Sequence, residues 1–183
     1  MSVVNPTCPT GCEFDPPVVL FDYCAPTIAF GEIKYLFLRA VESGGLTDWT
    51  DSAEWLAAID NDGEVGGEIR QISIIGSLPE PESTEIPMSL KRKAYPPKMF
   101  SIPFKVDEVN DDNHEFMRTM SCNSSFLAWY ATDEYMWGGN DGITVQITMH
   151  EIIPETTAEL YHFVGTMTWE NKFPPERTTN PLT

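Results

Sequence analysis

The chain has 183 residues, a length that suits one ordinary domain with appendages. Its 42% hydrophobic content, with five Trp, ten Phe and six Tyr, excludes global disorder. A formal charge of -17 and a pI near 4.3 exclude a protein that wraps nucleic acid, because phosphate binding needs Lys and Arg to displace counterions.

The opening MSVVNPTCPTGC lacks the basic segment and apolar run of a secretory leader. No stretch approaches the ~20 apolar residues of a membrane-spanning helix, so no membrane partner is expected. Synthesis in a cytoplasm-like compartment follows as the expectation, and there the four cysteines stay thiols by default. Residues 1–31 are Pro-rich and carry no Lys or Arg, which reads as an extended arm with room for one short strand at 18–21. Three cysteines cluster there, in CPTGCEFDPPVVLFDYC. Cys8 and Cys12 leave three residues between them, a spacing that zinc knuckles allow, and Cys24 could add a third ligand. No local fourth ligand exists, and Cys122, His114, His150 and His162 lie far away in sequence. Small packed thiols, or thiols facing a neighbouring chain, therefore outweigh zinc, and no cofactor is expected.

EIKYLFLRAV (32–41) is the first convincing strand, ended by Ser43-Gly44-Gly45. In GLTDWTDSAEWLAAI, Thr50 or Asp51 caps a short helix whose Trp55, Leu56 and Ile59 share one face. DNDGEVGGE (60–68) is a polar loop. Asp60, Asp62 and Glu64 imitate part of a calcium loop, but Val65 stands where that loop needs Gly and Gln71 where it needs Glu. IRQISII (69–75) reads as a strand, LPEPEST (78–84) as a loop, and EIPMSLK alternates in strand fashion. FSIPFKV (100–106) alternates too, although Pro103 demotes it to an edge or an irregular position. These last two could pair as a hairpin with the basic KRKAYPPK at its tip. NDDNHEFMRTM (110–120) reads as a second helix capped by Asn110 or Asp111. SFLAWYA (125–131) is a strand, MWGGNDG (136–142) a turn, and two alternating strands follow, Ile143 to Met149 and Tyr161 to Trp169.

These elements predict a mainly β (α+β) chain: an antiparallel β-sandwich or partly open barrel of about seven strands, with two short flanking helices and the N-terminal arm. The expected divisions are the arm at 1–31, the β domain at 32–172 and a C-terminal tail at 173–183. No GxSxG elbow, phosphate-cradling glycine loop or HExxH pair occurs, and no histidine has a local nucleophile partner. A non-enzymatic protein is expected, with no catalytic residue. The one basic island, Lys91, Arg92 and Lys93 with Lys98 nearby, suits an assembly contact with an acidic face of another copy.

AFGEIKYLFLRAV followed by GGLTDWTDSAEW, then IRQISIIG, and MWGGNDGI before the late strands, set out an order of elements that resembles the tail tube proteins of long-tailed bacteriophages and related tail ring proteins. The resemblance covers roughly residues 30 to 170, and the cysteine-bearing arm departs from that family's pattern. It implies a structural virion protein, made in the host bacterial cytoplasm, that forms stacked homo-oligomeric rings, hexameric in the family. Its neighbours would be other tail or neck proteins, and DNA would pass only transiently through the channel. A negative wall suits that passage, since it repels phosphate instead of trapping it. Two other classes compete. One is a capsid decoration or minor head protein, and the other is a carbohydrate-binding β-sandwich module stacking sugars on Trp49, Trp129 or Trp137.

Overall fold

The computed structural model describes residues 31–59, 68–82, 86–87, 93–94, 96–120, 125–156 and 159–183, with the backbone alone at Pro87, Lys93 and Ala94. Strands run at β1 (Ile33–Ala40), β2 (Ile69–Gly76), β3 (Ile86–Pro87), β4 (Lys93–Ala94), β5 (Lys98–Val106), β6 (Ser125–Ala131), β7 (Tyr135–Trp137), β8 (Ile143–Ile152), β9 (His162–Asn171) and β10 (Arg177–Thr179). The helices are α1 (Ser52–Ala58) and α2 (Asp111–Met120), with one 3₁₀ turn at Val41–Ser43.

All named strand pairs are antiparallel. Their order β1-β2-β5-β9-β8-β6 returns from β6 to β1, which closes a six-stranded barrel, while β7 and β10 extend the sheet beyond β6. The ring is uneven. β5 and β9 share nine register pairs, whereas β2 and β5 share only Ile75↔Lys105 and Gly76↔Phe104. The barrel is therefore partly open along that seam, the mainly β architecture with flanking helices that the alternation implies.

Pro103 sits at this seam, midway along β5. Its carbonyl accepts from the Ser77 amide at 3.3 Å, so its peptide groups point toward the β2 side. The missing N–H consequently costs the β5–β9 ladder nothing, which is why a Pro is tolerated in a nine-residue strand.

Period-two alternation sends Leu36, Leu38, Ile102, Phe104, Val145, Ile147, Phe163 and Met167 into the barrel. Gly165 shares that inward phase because a Cβ there would stand 2.5 Å from the Phe104 ring and 2.8 Å from Met149 Cγ. On α2, Asn110 Oδ1 accepts from the Asn113 amide at 2.7 Å as the cap, and Met117 and Met120 join the same core. A second core lies on the outer face of β1 and β6, where Phe37, Leu127, Trp129 and Ala131 meet Trp55 and Ile59 beneath α1. β1 and β6 are thus covered on both faces, and SFLAWYA reads as a near-continuous apolar run for that reason. Leu56 departs from the expected helix face, since it is 60% exposed while Trp55 is fully buried.

Three expectations change. β3 pairs with β4 in a separate two-stranded ribbon, and β5 belongs to the barrel, so Ile86 and Pro87 do not pair with 100–106 as the expected hairpin requires, and 88–90 lie outside the described residues. Met136 and Trp137, expected as the start of a turn, belong to the strand Tyr135–Trp137, and the turn begins at Gly138. The tail expected at 173–183 holds β10, paired with β7. Asn180 is buried there and donates to the Thr132 carbonyl at 2.9 Å, Leu182 packs on the second core, and Arg177 lies 4.3 Å over the Tyr135 ring. Three polar residues at an edge carry too little apolar periodicity to announce a strand. The strand called at 18–21 lies outside the described residues.

Candidate functional site

Charge is sorted by structure. Of the chain's 28 acidic residues, only Glu151 and Glu170 lie in described strands. The other described carboxylates sit in loops and helices, at the ends of strands. On the outward faces of β5, β9 and β8 the one described carboxylate is Glu170, opposite Met99 at one end. The register fixes three rows there: Ser101, Thr168 and Gln146; Pro103, Thr166 and Thr148; Lys105, Val164 and His150. At ~4.8 Å between strands and ~6.8 Å between alternate residues, these nine side chains tile roughly 300 Å² of wall. Ile75, 49% exposed, prolongs the third row across the seam. At the other end a shallow groove of about 320 Å³ continues the wall, lined by Met99, Ser125, Thr144, Gln146, Thr168 and Glu170.

A contrasting polar cluster ties α1 to the turn before β8. The Glu54 carboxylate accepts from the amides of Thr47 at 2.7 Å and Asp48 at 2.8 Å, and those two bonds, in that order, hold its pKa below the ordinary carboxylate value. Asp48 accepts from the hydroxyl and the amide of Thr50, which lower its pKa likewise. Asn140 takes the Leu46 amide on its carbonyl at 2.7 Å and the Trp49 amide on Oδ1 at 3.0 Å. Trp55 donates to the Trp49 carbonyl and Trp129 to the Gly139 carbonyl, with the two indoles edge to face at 5.5 Å. Gly142 has a φ of 68°, and a Cβ there would meet Trp129 at 2.8 Å, so only Gly closes this turn. The segments GGLTDWTDSAEW and MWGGNDGI, some 90 residues apart, form one clasp.

In the barrel interior Tyr130 stacks on Trp137 at 5.2 Å and Phe100 on Trp169 at 5.2 Å. Burial pushes the Tyr130 phenol well above its usual pKa, so it stays protonated. Trp49 and Trp129 are buried too, which removes both as sugar-stacking platforms in this conformation.

Cys8, Cys12, Cys24 and Cys122 lie outside the described residues, as do Lys91 and Arg92 and most of the 60–68 loop. The Lys93 backbone pairs with Pro87 in the small ribbon, and Lys98 begins β5 opposite Asn171, half-buried. Glu68, at the end of the acidic loop, is ion-paired with Arg39. No group of three or more His, Cys, Asp or Glu is placed to hold a metal among the described residues. His114 packs 6.4 Å from the Phe163 ring on α2, His150 is exposed on β8, and His162 Nδ1 lies 2.9 Å from the Leu160 carbonyl. Among the described residues, no hydrogen bond joins any of the three histidines to a nucleophilic side chain. The wall residues were missed in the sequence, yet the signal was there: the polar phase of ITVQITMH and HFVGTMTW is hydroxyl-rich and uncharged.

No family model, curated protein or solved structure matches the chain. Among the described residues no helix is long and apolar enough to cross a membrane.

Proposed function

We propose that this chain is a structural, non-enzymatic virion protein that self-assembles into stacked rings as a phage tail tube or tail ring. The observation that carries the proposal is the sorting of charge, with carboxylates in loops and helices and almost none on the barrel's strand faces. A protein of net charge -17 needs surfaces on which copies meet without opposed carboxylates. It also needs its acid concentrated where a duplex must slide past without sticking. In such a ring the negative lining comes from loops and helices at the strand ends, not from the polar phase of the strands. The basic island of Lys91, Arg92, Lys93 and Lys98 supplies a second contact, onto acidic loops of the next ring.

Negative-stain electron microscopy of the purified protein tests this. Rings or tubes with a central channel are the expected result. A persistent monomer that binds only to filled capsids would assign the chain to capsid decoration instead.

A further inference from the structure

We infer that the carboxylate-free wall of β5, β9 and β8 is the surface through which copies of this chain pack side by side. The inference rests on the self-assembly proposed above and adds the contact surface to it.

Like charges set face to face cost several kcal/mol, so lateral contact between acidic copies selects a face without carboxylates. The three rows from Ser101, Thr168 and Gln146 to Lys105, Val164 and His150 meet that condition. Their chemistry suits a second copy in particular. A hydroxyl or amide both donates and accepts, so Ser101, Thr148, Thr166, Thr168 and Gln146 can bond to the same groups on a neighbour, which ammonium or carboxylate side chains cannot do. Lys105, in one row with His150, places the wall's cation at one end, where the acidic loops of a neighbour find complementary charge. The wall alone covers roughly 300 Å², against ~800 Å² per partner in a standard interface. The exposed Met99 and Ile75 extend it on both sides with apolar area, and Glu170, opposite Met99, marks where the carboxylate-free surface ends.

The test compares wild type with Thr166→Glu, Thr148→Glu and Ser43→Glu by sedimentation at matched concentration and ionic strength. Thermal melting of each variant serves as the check on folding. Ser43 is exposed in the 3₁₀ turn, away from the wall, and controls for added charge. Both wall variants are expected to associate at least tenfold more weakly than wild type at unchanged melting temperature, with Ser43→Glu indistinguishable from wild type. If Thr166→Glu melts lower, the fully outward Thr148→Glu decides. Rings in wild type and equal rings in both wall variants would overturn the wall and leave the tube standing. Dimers alone in wild type, abolished by the wall variants, would keep the wall and overturn the tube. A monomer under every condition would overturn both.

Discussion

The clasp and the wall are both polar, but they direct their hydrogen-bonding groups in opposite ways. In the clasp, Glu54, Asp48 and Asn140 hold amides of the chain itself, and two buried tryptophans lie between them. On the wall, hydroxyls stand outward in register on three strands, over a core that is already filled. Groups of the first kind fix the fold, and groups of the second kind remain available to another molecule. Substitutions in the two places should therefore separate stability from association.

Trp129→Ala removes the centre of the second core and should cost about 3–5 kcal/mol in chemical denaturation. A loss below about 1 kcal/mol would mean that the clasp is not a stability element. Asn180→Ala strips the Thr132 carbonyl of its buried donor and should cost about 1–3 kcal/mol. An unchanged midpoint there would separate β10 from the fold. Asp51→Ala deletes the α1 cap and should cost about 1 kcal/mol, read from the same curves. At the other extreme, Thr168→Val on the wall should move stability by less than about 0.5 kcal/mol. A large loss would show the wall to be structural after all.

Acid should loosen the clasp first. Glu54 and Asp48 have folded-state pKa values below their usual ones, so the stability they add is present above the unfolded values. It is lost as pH falls through the folded values, which lie below the ordinary carboxylate ones. Tryptophan fluorescence should change in that range ahead of the far-ultraviolet signal of the barrel, and Glu54→Gln should weaken the pH dependence. Coincident transitions, unaltered by Glu54→Gln, would contradict this.

The barrel strands were legible because regular alternation marks each one, as in Ile143, Val145, Ile147 and Met149. Both helices were legible from their caps and first-turn acids. β10 was not, because the register of Arg177–Thr179 depends on Met136 and its neighbours some 40 residues earlier. The pairing of β3 with β4 instead of β5 was hidden for a similar reason, since alternation reports a strand's face and not its partner. The clasp could be seen only as two Gly-rich turns, because nothing local in MWGGNDG says that Asn140 reaches Trp49. The wall demanded a cross-strand register before three hydroxyl-rich phases became one surface.

The salt dependence of assembled mass is the most direct measurement, followed by light scattering as ionic strength rises from about 0.01 M to about 1 M and the screening length falls from about 30 Å to about 3 Å. Copies of charge -17 that meet mainly through a wall without carboxylates should associate more strongly as their mutual repulsion is screened, so the mass should rise with salt. A mass that falls with salt would show that contacts between opposite charges, such as the basic island against acidic loops, outweigh the wall, and would contradict the wall as the main surface of assembly.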